Sequence, residues 1–313
     1  MSRTIISGAS GDLGRRVTRL LLDEDPDREL ILTTRTPEKL ADLASDTVQI
    51  RHSDYAYPET VRQAYEGGDV LFLISGLNLG RRVSEHRGAI AAAQHAGVEH
   101  IVYTSVGGVQ PGNPALSAID HCQTEQDLRD SGIAYTFLRN ALYAEIVSNI
   151  LVAPAVPSGI LSQATGDGYL APVAKEDVAR SAAACLMNPA AHAGRIYEIT
   201  GPELLNFHQI AALASHVHSS PIEYTPVSED DRLAFFDAVG IPRTYDPTMP
   251  PSPDGHLWAS DELVSAEVAV AQGYQALQSR HVEQITGREP EPLATVMERV
   301  REVRYDKIEA TVA

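Results

Sequence analysis

The sequence is poor in cysteine and in lysine. Cys122 and Cys185 are the two cysteines of the 313-residue chain, and their wide separation predicts neither a disulfide framework nor a metal-binding cluster. The lysines are Lys39, Lys175 and Lys307. No apolar run approaches the length of about 20 residues that spans a bilayer, and no basic segment precedes an apolar one at the N-terminus. These absences favour a soluble, cytoplasmic protein.

Positive charge is scarce as well. The sequence holds 25 basic and 42 acidic residues, which gives a formal net charge of −17 at pH 7. A surface of this sign repels nucleic acid and anionic lipid, so we expect neither as a partner. A phosphate-bearing ligand must then be held by local geometry, through backbone amides and one or two well-placed cations. The sequence leaves a homodimer open.

The histidines do not form a recognisable metal site. His216 and His218 are two residues apart but lack companion ligands at metal-binding spacing. We therefore expect no bound metal, and we place the histidines other than His121 on the surface.

Short β-branched runs alternate with longer helix-like stretches over the first 140 residues. Nearly continuous apolar runs are typical of parallel strands that helices cover on both faces. Strict alternation of strand and helix predicts an α/β fold with a doubly wound parallel sheet of the Rossmann type. The strand-like runs lie at 3–7, 30–34, 48–52, 70–74, 100–105 and 134–139.

The alternation ends after Asn140. Two proline-bearing stretches, 153–159 and 245–255, are predicted as loops, whereas 195–201 is predicted as one more strand. We therefore expect residues 1–150 to form the doubly wound domain, to which 175–200 return. Residues 151–313 are expected to form a smaller lobe with a C-terminal extension.

A glycine triplet follows the first predicted strand and opens the first helix. Gly8, Gly11 and Gly14 have the spacing G-x-x-G-x-x-G, and this context is the one that a dinucleotide fingerprint requires. Gly8 permits the turn, Gly11 lets the backbone approach a pyrophosphate, and Gly14 lets helix and strand pack closely. The alternative is an ordinary tight turn. Asp12 is unfavourable beside a pyrophosphate unless it points to solvent, which is the interpretation we prefer.

The residues after the second predicted strand favour a phosphorylated cofactor. An NAD site commonly has Asp or Glu here, but the sequence reads "LTTRTPEK". Arg35 can pair with a 2'-phosphate in fork geometry, and Lys39 can add a second charge. We infer NADP(H) rather than NAD(H), although Arg35 could equally be a surface residue.

The ends of the third and fourth strands are expected to face the adenosine half of the cofactor, because ligands of such sheets lie outside the carboxyl ends of the strands. The residues there, each of which could equally belong to a plain loop, are Asp54, Tyr55, Ser75 and Gly76.

Five segments of the chain are informative when taken together: "GASGDLG", "TTRTPEK", "HRGAIAAAQHAGVEHIVYTS", "DSGIAYTFLRNALYAE" and "GRIYEITG". They resemble the NmrA-like branch of atypical short-chain dehydrogenases, and within it the bacterial NADPH:quinone reductases and triphenylmethane dye reductases. The resemblance covers roughly residues 3–240, with a weaker match at "ITGREPEPLATVMERV". It implies an NADP-binding Rossmann domain and a small C-terminal substrate-binding lobe, with NADPH held between them.

The resemblance also assigns roles by position. Gly8, Ser10, Gly11, Asp12 and Leu13 would contact the pyrophosphate, and Arg35 the 2'-phosphate. Thr104, Ser105 and His121 would flank the nicotinamide ribose, with Leu138, Asn140 and Tyr143 near the nicotinamide. The substrate, expected to be a small aromatic or quinone-like molecule, would contact Asn78, Val106 and Tyr143.

One departure from the family pattern bears on the reaction. Ser117 and His121 occupy the positions of the Tyr-x-x-x-Lys proton-donating pair, and no tyrosine of the chain is followed four residues later by lysine. Reduction of an ordinary ketone creates an alkoxide that an acid must protonate. A quinone instead yields a phenolate whose conjugate acid has a pKa of about 10, so water can protonate it later. The sequence therefore predicts an NADPH-dependent reductase of quinones or similar conjugated electrophiles.

Other interpretations stay open at this stage. The missing pair also suits an NADP(H)-sensing regulator without turnover, or a reductase of activated ketones, imines or enones in which His121 is the catalytic acid. His121 could equally be a structural helix residue. Tyr143 could stack on an aromatic substrate or merely pack.

Overall fold

The computed structural model describes residues 2–76, 78, 80–244 and 259–301. The strands are β1 (Thr4–Ile6), β2 (Leu30–Thr34), β3 (Val48–His52), β4 (Val70–Leu73), β5 (His100–Val106), β6 (Ala134–Asn140), β7 (Ile160–Gln163), β8 (Tyr169–Leu170), β9 (Arg195–Ile199), β10 (Leu205–Asn206) and β11 (Glu223–Pro226). The helices are α1 (Asp12–Glu24), α2 (Pro58–Tyr65), α3 (Arg82–Ala96), α4 (Leu116–Asp130), α5 (Ala144–Ile146), α6 (Lys175–Met187), α7 (Phe207–His218), α8 (Glu229–Ala238), α9 (Ser260–Ala271) and α10 (His281–Thr286). Residues 293–301 are also helical.

Seven strands form the central sheet in the order β3-β2-β1-β4-β5-β6-β9. The pairs β1–β2, β1–β4, β2–β3 and β4–β5 are parallel. All residues of β1, β2 and β4 are buried, as expected where helices cover both faces of a sheet. The predicted α/β fold is confirmed, and the strand predicted at 195–201 is the edge strand β9.

The described residues fall into two compact units. The first comprises Met1–Val106, Asp120–Arg139 and Val178–Tyr197, and the second comprises Gly107–Ile119, Asn140–Asp177 and Glu198–Ala313. The predicted roles of the two parts of the chain, cofactor binding and substrate binding, stay predictions.

The first unit has a core between the sheet and its helices. Strand residues pack against α2 and α3, and the largest fully buried side chains include Tyr65, Tyr103 and Phe72. Successive strand residues point to opposite faces, and the strand residues of this cluster, such as Ile5 and Ile31, come from one face of the sheet. Residues of the opposite face, such as Phe72, are buried as well. Because these strands are parallel, the carboxyl ends of β1, β2, β4 and β5 lie along one edge of the sheet.

The second unit is built around α7. Asn206 and Gln209 form a reciprocal capping box at the start of this helix, and Phe207 and Ile210 are among its buried residues. β8 pairs with β10 antiparallel, and β7 pairs with β11 parallel. No helix among the described residues is long and apolar enough to cross a membrane.

One loop prediction was wrong in part. Residues 147–152 form a π-helical segment, and Ala153–Ala155 continue it as a 3-10 turn. Pro154 lies in this 3-10 turn, and because it has no N–H it cannot donate to a carbonyl of the preceding helical segment. The second predicted loop, 245–255, lies outside the described residues.

Candidate active site

The glycine loop between β1 and α1 has the backbone that the sequence predicts. Gly8 has a φ of 58°, which disfavours any residue with a side chain. A Cβ on Gly14 would lie 2.6 Å from the Gly8 oxygen and 2.7 Å from the Ala9 Cα, so only glycine lets α1 approach the strand this closely. Both predictions are confirmed. At Gly11 a Cβ would meet only the Gly8 oxygen, at 3.2 Å.

The N-terminus of α1 can accept an anion. Its N-cap is Gly11, and no side chain caps the first turn, so backbone N–H groups there retain capacity for a ligand. Asp12 pairs with Arg16 across one helical turn at 2.8 Å and is exposed. This is the solvated position that we preferred for Asp12. Leu13 is buried against the sheet.

Hydroxyl groups cluster where β1 and β2 end. Ser10 Oγ and Thr34 Oγ1 are 2.6 Å apart, and Thr36 Oγ1 donates to Ser10 Oγ at 3.2 Å. Arg35 lies between the two threonines and is exposed. Within the described part of the chain its guanidinium forms no hydrogen bond or ion pair. A cation with an available fork of donors beside three hydroxyls fits a phosphate group.

The loop after β4 is fixed by neighbouring elements. The Ser75 amide donates to Thr104 Oγ1 at 2.8 Å, and the Gly76 amide donates to His86 Nε2 at 3.1 Å. Arg82 Nε in turn donates to the Gly76 oxygen at 3.0 Å. Ser75 and Gly76 are therefore held in place from β5 and α3.

His121 lies in a buried network rather than in open solvent. Its Nδ1 is 2.7 Å from the Tyr103 hydroxyl, and its Nε2 is 3.5 Å from Ser75 Oγ. Burial, with the nearby charge of Arg82 and the neighbouring His86, lowers the pKa of His121 well below its ordinary value. The imidazole is consequently neutral at physiological pH.

Ser105, at the end of β5, has a structural partner. Its hydroxyl donates to Glu125 Oε1 at 2.7 Å, and this fully buried carboxylate also receives Arg139 at 2.8 and 2.7 Å and Arg129 at 3.1 Å. The Ser105 proton is thus already committed. Its predicted contact with the nicotinamide ribose stays a prediction.

Two predicted site residues lie together in the second unit. Asn140 Nδ2 donates to the Tyr143 hydroxyl at 3.3 Å. Asn140 Oδ1 is buried and has no hydrogen-bond partner within the described residues. An unpaired buried acceptor is costly in a folded protein, and an N–H from a ligand amide would satisfy it.

Comparison with known proteins identifies the family. A family model described as NAD(P)H-binding matches residues 8–189, more than half of the chain. Quinone oxidoreductase 2 of Escherichia coli (strain K12) is 33% identical over 296 residues, which are 94% of this chain and 96% of that protein. The chain belongs to the NmrA-like family of NAD(P)H-binding oxidoreductases.

Solved structures agree with this family membership. An Escherichia coli NADPH-dependent quinone oxidoreductase complexed with NADPH superposes with a TM-score of 0.83 at 31% identity, covering 95% of this chain and 99% of that one. The Citrobacter sp. triphenylmethane reductase complexed with NADP(H) gives a TM-score of 0.81 at 28% identity with the same coverage. The predicted family, fold and cofactor class are confirmed, and the protein is an NAD(P)H-dependent oxidoreductase.

The remaining predicted cofactor residues of this NmrA-like oxidoreductase mostly have internal partners. Asp54 Oδ1 accepts from the Ala56 amide at 3.0 Å, and the Tyr55 hydroxyl donates to the Ile74 oxygen at 3.0 Å. Burial raises the pKa of Tyr55 to about 12, so it stays a neutral donor. Leu138 is fully buried in β6. Contacts of these residues with the cofactor stay predictions.

The two predicted substrate residues of the first unit differ in their surroundings. Asn78 Nδ2 donates to both carboxylate oxygens of Glu85, at 3.0 and 2.9 Å. Val106 is half-buried at the last position of β5. The Asn78 amide nitrogen is therefore already paired, whereas the Val106 side chain is partly accessible.

Two buried histidines correct the expectation that histidines other than His121 lie on the surface. His86 is fully buried and His100 is 4% exposed. Burial is possible because both rings are hydrogen-bonded, His86 to the Gly76 amide and His100 to Thr136. Burial lowers the pKa of His86 to about 3.

Sequence reasoning did not connect His86 or Tyr103 with His121. Both lie inside the quoted segment "HRGAIAAAQHAGVEHIVYTS", but nothing in their spacing indicates that the two side chains meet. No group of three or more metal-binding side chains occurs among the residues that the structure describes.

Proposed function

We propose that the protein reduces quinones, or other conjugated electrophilic acceptors, with NADPH and without a proton donor of its own. One observation carries the proposal. His121, at the family position of the activating lysine, is a buried neutral imidazole bonded to Tyr103, and Ser117 stands at the position of the tyrosine. Neither residue can supply the acid that reduction of a simple ketone requires.

The cofactor, when bound, supplies the hydride. The product of hydride transfer must then be stable without protonation by an acid of the protein. A reduced quinone does so as an aromatic phenolate, with a conjugate acid of pKa about 10, and a triarylmethyl cation is neutralised by hydride alone. Water completes the protonation of the phenolate after the chemical step.

In this proposal the protein binds the cofactor and the acceptor and orients them for hydride transfer. The open N-terminus of α1 at Gly11 would receive the pyrophosphate, together with Ser10, and Arg35 would receive the 2'-phosphate. The unpaired Asn140 Oδ1 would accept from the carboxamide of the nicotinamide. Tyr143 would pack against an aromatic acceptor. Orientation of this kind contributes much of the rate when no acid is needed.

The names of similar proteins support the acceptor class. One solved relative is a quinone oxidoreductase and another is a triphenylmethane reductase, and both names describe electron-poor conjugated acceptors. A reductase of activated ketones with His121 as acid is less well supported, because a lowered His121 pKa leaves little imidazolium to donate a proton.

The proposal is tested with purified protein and NADPH under anaerobic conditions, against 1,4-benzoquinone, a cationic triarylmethyl dye and cyclohexanone. We expect NADPH oxidation with the first two and none with the ketone. A ketone reduced as fast as the quinone, or NADPH oxidation no faster than in buffer with every acceptor, would overturn it.

A further inference from the structure

A buried hydrogen-bond chain runs from the loop after β4 to His121 through His86 and Tyr103. We infer that this chain fixes His121 as the tautomer with its proton on Nε2 and makes it a neutral single donor toward the cofactor. His86 and Tyr103 are then positioning residues. The contact with the cofactor rests on the function proposed above, whereas the tautomer rests on hydrogen-bond geometry alone.

His86 carries its proton on Nδ1. Its Nε2 is 3.1 Å from the Gly76 amide nitrogen, and a backbone N–H can only donate. His86 Nε2 must therefore carry a lone pair. A neutral imidazole has one N–H, so the His86 proton is on Nδ1.

The proton on His86 Nδ1 has an acceptor in Thr124. His86 Nδ1 is 3.0 Å from Thr124 Oγ1, whose own hydroxyl donates to the Asp120 oxygen at 3.0 Å. Thr124 is thus available as the acceptor. The Tyr103 hydroxyl is 3.4 Å from the same His86 nitrogen. A nitrogen that carries a proton cannot accept one from Tyr103.

The state of His121 follows from the contacts of the Tyr103 hydroxyl. Its oxygen lies 2.7 Å from His121 Nδ1 and 3.4 Å from His86 Nδ1, and the hydroxyls of Thr124 and Ser75 also interact with it. Since His86 cannot accept and His121 Nδ1 is at the shorter distance, the Tyr103 proton goes to His121 Nδ1. The reverse assignment would exchange this short hydrogen bond for a longer contact with a hydroxyl. His121 then carries its own proton on Nε2.

The His121 end of this hydrogen-bond chain has capacity for a ligand. His121 Nε2 is 3.5 Å from Ser75 Oγ, which is the long limit of a hydrogen bond. Ser75 lies just beyond β4, at the edge of the sheet where ligands of doubly wound folds bind. A ligand hydroxyl, such as one of the nicotinamide ribose, is a better acceptor for this N–H at normal distance.

The chain orients His121 but does not resupply a proton. If His121 gave up its Nε2 proton, replacements would have to pass from Tyr103 and then from His86. The chain ends at the Gly76 amide, which keeps its proton. His121 therefore differs from a lysine in two ways, because it offers one donor instead of three and carries no charge to activate a neighbouring acid.

The tautomer can be read directly in the apoprotein by NMR of the ring nitrogens after ¹⁵N-histidine labelling. We expect a protonated Nε2 on His121 and a protonated Nδ1 on His86. In Tyr103→Phe the restraint on Nδ1 is lost, so His121 should become a mixture of tautomers. The KM for NADPH should then rise about fivefold, the effect of roughly one net hydrogen bond, while kcat changes less.

Tyr65→Phe is the matched control, because the Tyr65 hydroxyl is also fully buried and interacts with Tyr55 but with neither histidine. It should leave the His121 tautomer and the KM for NADPH unchanged. A wild-type His121 protonated on Nδ1 overturns the inference even if Tyr103→Phe does not fold, and so does an unchanged tautomer in Tyr103→Phe. Since the NMR readings of the tautomer need no acceptor, they are independent of whether quinones are the substrates.

Discussion

The ammonium group of Lys175 lies above the face of the Tyr143 ring, with Nζ 5.8 Å from the ring centre. The pair belongs to the second unit, next to Asn140, whose amide donates to the Tyr143 hydroxyl. A tyrosine with a lysine beside it is the combination that the family has at its Tyr-x-x-x-Lys positions, where this chain has Ser117 and His121. The main alternative to the proposed mechanism is therefore that the Tyr143 hydroxyl donates the proton to the product.

Replacement of Tyr143 by Phe separates the two possibilities. If water protonates the product, Tyr143→Phe should keep kcat for benzoquinone within about threefold of the wild type. A general acid contributes 10²–10⁴-fold, so a loss of 100-fold or more would identify Tyr143 as the proton donor. Tyr169→Phe, which alters a 40% exposed tyrosine of the same unit, controls for the loss of a hydroxyl.

Arg35 should determine the preference for NADPH over NADH. A charge-assisted contact with the 2'-phosphate is worth about 1.5–3 kcal/mol, so Arg35→Ala should raise the KM for NADPH by roughly 10- to 100-fold. The KM for NADH, which lacks this phosphate, should change little. Arg19→Ala removes one exposed arginine from α1 and controls for net charge. Equal losses with both cofactors would place Arg35 outside the 2'-phosphate site.

Gly14 should be intolerant of a side chain. An added Cβ would contact the Gly8 oxygen and the Ala9 Cα at 2.6 and 2.7 Å, so α1 must move. Overpacking of this kind costs about 1–3 kcal/mol, and we expect Gly14→Ala to lower the free energy of unfolding by that amount in urea titration. In Gly88→Ala the nearest atom to the new Cβ is 3.8 Å away, so the better helix propensity of alanine should stabilise α3. Equal stability of the two variants would contradict this account.

The central sheet could be predicted because each of its strands is recognisable from its local sequence pattern. Runs such as Leu30–Thr34 and Val70–Leu73 are buried along their whole length, and a continuous apolar run between helical stretches has few other interpretations. The strands β7, β8, β10 and β11 were not predicted. They are two to four residues long and depend on pairing partners distant in sequence, which a local pattern cannot indicate.

The candidate site was predictable only where backbone conformation dictates the residue. Gly8 and Gly14 are required by a positive φ and by a close approach. The interaction of Tyr103 with His121 was not predictable, because the two residues come from a strand and a helix that meet only in the folded chain. At Ser105 the sequence indicates a role but hides the internal partner of the side chain. Its position suggested a cofactor contact, but the sequence does not reveal that Glu125 lies 2.7 Å from its hydroxyl.

The bond between Ser105 and Glu125 leads to a prediction about stability. Ser105→Ala removes one donor from a fully buried carboxylate, and a hydrogen bond to a charged group contributes about 1.5–3 kcal/mol. We expect the free energy of unfolding to fall by about that much, with kcat for benzoquinone and the KM for NADPH nearly unchanged. Thr18→Ala, which removes a buried hydroxyl that donates to the Gly14 oxygen of the same helix, should have a smaller effect on stability. A rise in the KM for NADPH in Ser105→Ala alone would instead support the ribose contact.

His100 should make the protein less stable in mild acid. Its Nε2 is 2.8 Å from Thr136 Oγ1, whose hydroxyl donates to the His192 oxygen, so His100 is a neutral donor. Burial, with a smaller effect of His192, lowers the pKa of His100 to about 4 from an ordinary value of 6.5. Between these two values the unfolded chain binds more protons than the folded one. The contribution of His100 to the free energy of unfolding is therefore fully present above pH 6.5 and is lost as the pH drops toward 4.

Urea titrations at pH 7 and pH 5 measure this contribution. For a shift of this size, linkage gives a loss of up to about 2 kcal/mol from His100 over that interval. His100→Gln keeps an N–H donor but does not titrate, so its free energy of unfolding should change less with pH than that of the wild type, by up to that amount. His208→Gln, at an exposed histidine, should keep the wild-type dependence. If His100→Gln and the wild type lose the same stability between pH 7 and pH 5, His100 does not bind its proton more weakly in the folded state.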